Sequence, residues 1–220
     1  MADPKHSSER RIEIGQVRRA KTRARIIAAA FELFGSQDGL QVRVEEVSQR
    51  AGITRATFYD HFTGMAELRE AVTYEVTHDF LTAVNNAVSM LEDPRERAAA
   101  AIRFYLHKTR EDPRWGWSMV NLSANGIIFG AETYKQAELT AIDGIKAGLL
   151  RPVSSAIARD CILGTSLAAM GSMLRGLVLP DYPEQIVEII LVSLGVDQVL
   201  AAQIAGRPLP RLCVTLSPAD

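Results

Sequence analysis

The sequence predicts an all-α chain in two parts, a short basic N-terminal unit and a longer, acidic helical one. Three observations carry that expectation. Apolar residues recur at three- and four-residue spacing along most of the chain, and beyond residue 65 nothing alternates as a strand would. At 220 residues and 47% hydrophobic content, the chain can bury one large core or two smaller ones. The formal net charge of -1 hides an asymmetry: residues 1–63 carry 11 Lys plus Arg against 8 Asp plus Glu, which leaves 14 against 18 for the rest.

Residues 1–17 are read as a flexible basic arm. Lys5, Arg10 and Arg11, with Arg18, Arg19, Lys21, Arg23 and Arg25 just beyond, crowd a stretch with few apolar residues to anchor a fold. Such an arm is either a solvated tail or a source of phosphate and minor-groove contacts. Residues 18–64 then form the first folded unit. Ile26, Ala30, Leu33 and Phe34 share one helical face, and Gly35 and Gly39 are stop signals, giving a supporting helix. Val44, Val47 and Ala51 repeat the pattern in a second helix that Gly52, able to take positive φ, can end. Thr54 suits the N-cap of a third helix, Ile53 and Phe58 occupy staple positions, and Phe58 and Phe62 turn inward.

Two short helices hinged by one glycine make a helix-turn-helix, in which the first residues of the second helix reach base edges in the major groove. The outward residues are Arg55, Ala56, Thr57, Tyr59 and His61. Arg55 can fork onto guanine or phosphate, Thr57 can meet a base or a thymine methyl, and Ala56 permits close approach. Tyr59 and His61 suit phosphates. A helical hairpin inside a core would share the bare pattern, so the surroundings matter.

Those surroundings are specific. Arg25-Ile26-Ile27-Ala28-Ala29-Ala30-Phe31-Glu32-Leu33-Phe34, Gly39, the run Val47 to Gly52, Thr57-Phe58-Tyr59-Asp60-His61-Phe62 and Glu67-Leu68 together resemble the DNA-binding domain of tetracycline-repressor-type (TetR family) transcriptional regulators over residues 20–70. The resemblance implies that Thr57, Tyr59 and His61 contact DNA, with Arg55 and Ala56 as variable reading positions. It also marks two departures. Where the family carries a threonine pair before the first hinge helix, this chain has Val42 and Arg43, so a hydroxyl cap is missing and Arg43 can replace only the phosphate contact. Where the family carries Ser-Lys-Glu-Glu-Leu, Gly64-Met65-Ala66-Glu67-Leu68 lacks the lysine, although glycine remains an acceptable N-cap and Glu67 suits the positive end of the helix. The DNA-binding set is therefore Arg43, Thr54, Arg55, Ala56, Thr57, Tyr59 and His61.

Residues 65–206 read as a helical effector-binding and dimerisation domain, and 207–220 as a C-terminal tail. Leu68, Val72, Val76, Phe80 and Val84 step by four along a long helix that joins the two units. Asp93-Pro94-Arg95-Glu96 is a helix start and Asp112-Pro113 its stop. Helices are expected over Trp115 to Phe129, Glu132 to Leu149, Ser154 or Ser155 to Leu177, and onward from Asp181. The last is apolar nearly all round, through Ile186, Val187, Ile189, Ile190, Leu191, Val192 and Leu194. With Ala168 and Gly171 permitting close approach from the helix before it, Ile186, Ile189 and Ile190 are expected in a two-fold four-helix bundle, the alternative being burial within one subunit.

By the same resemblance, a pocket for a small, largely apolar effector lies near Phe104, Tyr105, Trp115, Trp117 and Met119, and near Asn121, Asn125, Phe129, Met170 and Met173. Aromatic and Met residues at such spacing also build ordinary cores. Asn121 and Asn125 lie four apart in an apolar run, and a buried amide needs a partner: a side chain, a water or a ligand.

Other function classes find little support. No Gly-x-Ser-x-Gly, His-Glu-x-x-His, phosphate-loop or dinucleotide pattern is present, so no enzyme is expected, no cofactor and no metal. Cys161 and Cys213 lack metal-like spacing and read as inert thiols, a redox switch being the alternative. No signal core or membrane span is seen, so a cytoplasmic protein is expected. The expected activity is a repressor, a homodimer on double-stranded operator DNA of palindromic sequence, released when the effector binds. The alternative is a DNA-binding or protein-interaction module without a small-molecule effector.

Overall fold

The computed structural model describes residues 4–123, 128–151, 154–176 and 178–212. Every regular element among them is helical: α1 Pro4–Phe34, a 3-10 turn Gly39–Gln41, α2 Val44–Arg50, α3 Arg55–Tyr59, α4 Met65–Val88, α5 Pro94–Glu111, α6 Pro113–Leu122, α7 Gly130–Lys146, α8 Ser155–Leu174, α9 Tyr182–Ser193 and α10 Gln198–Ala205. None is long and apolar enough to cross a membrane.

Residues 4–17, expected as a flexible arm, instead continue α1 as helix. Once the docked half of α1 supplies a nucleus, each further residue costs only propagation, and Glu, Arg and Gln propagate well. Residue 10 and residues 13–17 of that extension lie on the surface, with Ile14 and Val17 about half exposed.

In the N-terminal unit, Ile26, Ala30 and Phe34 of α1 are fully buried with Val47, Phe58 and Phe62. Burying a side chain of that size is worth about 1.5–3 kcal/mol. Gly52 takes φ +63 between α2 and α3, a backbone that a side chain there would strain. Leu68 and Val72 of α4 join the same core, so the long helix begins inside the N-terminal unit and ends in the larger one.

The larger unit opens at Asp93, whose carboxylate accepts from the Arg95 N–H at 2.8 Å with Pro94 at the first helical position. Asp112 caps α6 in the same way, accepting from Trp115 N–H at 3.0 Å. α5 lies central, packed on α8, α6, α9 and α7. The expected long helix from Asp181 is two: α9 ends at Ser193, and Asp197 caps α10 by accepting from the Val199 and Leu200 N–H groups. The helix from Trp115 toward Phe129 also stops early, at Leu122. The expected tail is tied down over its described part, where Leu209 and Leu212 pack against Val84, Val88 and Phe104, and Arg207 pairs with Glu96.

Candidate nucleic-acid interface and interior cavity

The recognition surface starts at Thr54, whose hydroxyl accepts from the Thr57 N–H at 3.1 Å and lies 3.0 Å from the Thr57 hydroxyl. α3 is then only Arg55–Tyr59, anchored by Phe58 with no exposed surface, while Arg55, Ala56 and Tyr59 face solvent. Tyr59 is 51% exposed, its ring edge-on to Phe58. Arg55 is held by an exposed ion pair with Glu45 at 2.9 Å.

Arg43 is exposed at the N-cap of α2, where an arginine side chain cannot accept the amide hydrogens. Glu46 supplies the missing cap from the other side, its carboxylate accepting from the Arg43 N–H at 2.9 Å. The lost hydroxyl cap is thus half restored, and the Arg43 guanidinium remains available. Thr63 and Glu67 do the same for α4: both the Thr63 N–H and its hydroxyl donate to the Glu67 carboxylate, at 2.7 and 2.9 Å, which holds that carboxyl below its ordinary pKa.

His61 lies half-buried beside α1. Arg19 donates to the Asp60 carbonyl at 2.7 Å, and Arg23 stacks 4.8 Å over the Phe62 ring. Burial first, then the charges of Arg19 and Arg23, hold its pKa below the ordinary value against the opposing pull of Asp60. These influences favour the neutral imidazole, whose buried Nδ1 has no hydrogen-bond partner among the described residues. Arg19 and Arg23 went unread as part of this surface because they lie forty residues upstream on another helix.

A cavity of about 550 Å³ lies between α4, α5, α7 and α8. One end is buried, lined by Leu81, Tyr105, Phe129, Thr133, Ile162 and Leu163; the other is exposed and polar, with Ser89, Thr140 and the Arg97–Asp143 pair at 2.8 Å. Arg97 and Tyr105 are eight residues apart on α5, so the ends are separated by about 12 Å of helix.

Of the residues expected at a pocket, Tyr105 and Phe129 line this one. The others described do not. Phe104 points to a second cluster with Val84 and Val88. Trp115 stands behind the wall, its ring 5.7 Å from Tyr105 and 5.2 Å from Phe80. Met119 and Met170 are fully packed core, and Trp117 and Met173 are half-buried on α6 and α8. Asn125 lies outside the described residues. Asn121 finds its partners in the backbone, donating through Nδ2 to the Phe34 carbonyl at 2.9 Å and the Ser36 carbonyl at 2.8 Å. The missed lining comes from α4, α7 and α8 and from the rest of α5, where the small pair Ala98 and Ala101 is the one sequence signal, leaving space beside the helix.

Asn121 belongs to a clasp between the two units. Arg69 of α4 donates to the Asn121 carbonyl at 3.1 Å and the Leu40 carbonyl at 2.8 Å, with its guanidinium 4.7 Å over the Phe34 ring. Phe129, at the cavity's buried end, adopts the left-handed backbone, φ 60, and donates its N–H to Ser123 Oγ at 3.0 Å. A non-glycine residue there stores about 1–2 kcal/mol of strain. The cavity wall is thereby tied through Ser123 to α6, and through Asn121 to α1 and α4.

On the face of α8 and α9 away from the core, Ile189 is 61% exposed, Val192 is 42% exposed and Ala168 is also exposed. Ile186 and Ile190, expected at an interface, are buried within the subunit, because α5, α8 and α10 cover the inner side of α9, and Gly171, also expected there, is buried on α8 beside the Arg175 guanidinium. Cys161 on the same side of α8 lies 3.0 Å from the Ser193 hydroxyl, and Cys213 is outside the described residues. Among the described residues no group of three or more His, Cys, Asp or Glu could hold a metal ion.

Comparison with known proteins gives matches in both units. Residues 26–72 match the family model for bacterial regulatory proteins of the tetR family, and residues 93–207 match the tetracyclin repressor-like C-terminal domain. An uncharacterized HTH-type transcriptional regulator of Mycobacterium tuberculosis is 30% identical over 89 residues, 40% of this chain and 44% of the relative. The HTH-type transcriptional activator FasR of Mycolicibacterium smegmatis is 27% identical over 94 residues, 43% of either chain. This chain therefore aligns with less than half the length of these curated relatives. Among solved structures, RolR in complex with resorcinol superposes with a TM-score of 0.72 at 26% identity, covering 90% of this chain and all of that one.

Proposed function

The chain belongs to the tetR family of bacterial regulatory proteins, as a transcriptional regulator with a helix-turn-helix DNA-binding domain, and from that premise we propose that it is a repressor released from its operator by a small effector. The observation that carries the reading is that one chain holds both a solvent-facing recognition helix and a 550 Å³ cavity whose wall is tied by hydrogen bonds to α1 and α4, helices that share a core with Phe58 of the recognition helix. Regulators of this family act as dimers and bind small molecules. Two subunits joined through the exposed α8–α9 face present two copies of α3 to the half-sites of a palindrome, with Arg55, Ala56 and Thr57 at base edges and Arg43, Thr54, Tyr59 and His61 toward phosphates.

Occupying the cavity displaces the Phe129 wall and, through Ser123 and the Asn121–Arg69 clasp, changes how α1 and α4 hold the recognition helix. An effector achieves this only by preferring the DNA-free state, typically by about 1–3 kcal/mol of coupling. Repression needs only that the dimer occupy promoter DNA, in the cytoplasm where that DNA is. The cavity favours this reading over a module that responds to no small molecule, and the resorcinol bound by RolR gives a precedent for a small ring as the effector.

Fluorescence anisotropy tests the proposal, using DNA from immediately upstream of the protein's own gene against scrambled DNA at roughly physiological salt, where non-specific contacts weaken. The expected result is saturable binding about a thousandfold tighter to the upstream DNA. Salt-dependent binding indifferent to sequence, across a wider operator selection, would leave a general DNA binder and refute the repressor.

A further inference from the structure

The cavity's chemistry narrows what it accepts. Tyr105 and Thr133 are both buried at its inner end with their hydroxyl oxygens 2.9 Å apart. Two hydroxyls carry two protons, and their mutual hydrogen bond uses one. A helical threonine commonly spends its proton on the carbonyl four residues back, as Thr73, Thr77 and Thr109 do here. Thr133 makes no such bond to Phe129, so the pair keeps one donor for whatever enters. Burial raises the Tyr105 pKa far above its ordinary value, so the phenol stays a protonated donor.

Charge is the second constraint. Arg97 and Asp143 are the ionisable residues in the lining apart from that phenol, and they neutralise each other at 2.8 Å. Arg97 is further engaged with the carbonyls of Leu91 and Glu92. A carboxylate or phosphate entering this space would give up its hydration and meet no free counter-charge. Shape is the third. The Tyr105 and Phe129 rings lie 5.2 Å apart beside Leu81, Ile162 and Leu163, a wall suited to another ring, and 550 Å³ exceeds one ring, leaving room for a substituent toward Asn85 and Gln136 at the polar end.

We propose that the cavity selects uncharged ring compounds carrying a hydroxyl or carbonyl oxygen, which accepts a hydrogen bond from the Tyr105–Thr133 pair, and excludes anions. The selection rests on the effector reading above.

Two fluorescent probes with one skeleton test it on the full chain: neutral N-phenyl-1-naphthylamine and its sulfonated counterpart 8-anilinonaphthalene-1-sulfonate. The neutral probe is expected to bind once per chain at least about tenfold more tightly than the anion. Ala101→Trp, which fills the cavity, should abolish that binding. Displacement of the neutral probe should follow ring oxygens, with resorcinol, phenol and 4-hydroxyacetophenone outcompeting toluene and benzoate. Tyr105→Phe and Thr133→Val, nearly isosteric, should weaken displacement by the hydroxylated rings about tenfold while leaving the neutral probe's own affinity within about twofold. Equal or tighter binding of the sulfonate, or displacement by the oxygen-bearing rings no better than by toluene, overturns the selection and leaves an effector-responsive regulator standing. If neither probe binds, the cavity is closed to ligands and both readings fall.

Discussion

In the proposed docking on DNA, Arg55 exchanges partners to read a base. Free, it pairs with Glu45 at 2.9 Å, both side chains more than half exposed. Such a pair is worth about 0–1 kcal/mol, whereas a good bidentate contact to guanine discriminates by about 1–3 kcal/mol, so DNA wins the competition. In that docking the exchange frees the Glu45 carboxylate beside the polyanionic backbone, and the like charge opposes binding. Arg55→Ala should therefore weaken operator binding about five- to 150-fold and lower the ratio of operator to scrambled affinity. Glu45→Gln should tighten binding to both. Anisotropy titrations of the two variants on both DNAs check this; an equal loss on both from Arg55→Ala would make Arg55 a phosphate contact instead. Thr54 and Thr57 cannot be tested so cleanly, because their shared hydrogen bonds also cap α3, and removing the cap hydroxyl costs the helix about 1 kcal/mol before DNA is met.

α6 is the element whose role is least visible in its own sequence. Its apolar and aromatic residues suggested a pocket wall, but Met119 and Trp115 are core, and its far end grips the N-terminal unit through Asn121. Asn121→Leu keeps the volume while stripping the donor from the buried Phe34 carbonyl. It should cost about 1–3 kcal/mol in urea denaturation, and anisotropy should show a weaker dependence of operator affinity on effector. A loss of stability with coupling intact would make the contact structural alone. The contrast between α3 and α6 explains what could be read in advance. α2, α3 and the cap at Thr54 follow from local rules of spacing, capping and one hinge glycine, so the outward residues of the recognition helix were legible from neighbours within a few positions. The cavity depends on four helices whose residues lie up to 85 positions apart, and space left by Ala98 and Ala101 carries no mark of what faces it. The extension of α1 to Pro4 was missed for a related reason: low apolar content signals absence of a core, yet a helix already nucleated by its docked half needs none.

At the scale of the whole molecule, the proposed dimer rests on the division of α9 into an exposed and a buried side. The all-round apolar sequence of this helix exceeds what the subunit core takes up. Ile186, Val187, Ile190 and Leu191 are consumed inside the subunit, and Ile189 and Val192 remain outside, beside Ala168 of α8. A chain that leaves such residues together on adjacent helices gains by covering them, and a two-fold axis through the α8–α9 face would cover both copies at once. Dimerisation matters to DNA binding because one recognition helix reads one half-site, and linking two makes the second contact intramolecular. Ile189→Asp puts a charge on that face without touching the core. Sedimentation should then report a monomer at micromolar concentration where the parent chain is a dimer, with helicity by circular dichroism unchanged. Operator affinity should fall by about a hundredfold or more, toward that of a single half-site. A dimer that survives both Ile189→Asp and Val192→Asp would place the two-fold axis elsewhere, and with it the spacing at which the two copies of α3 meet the groove.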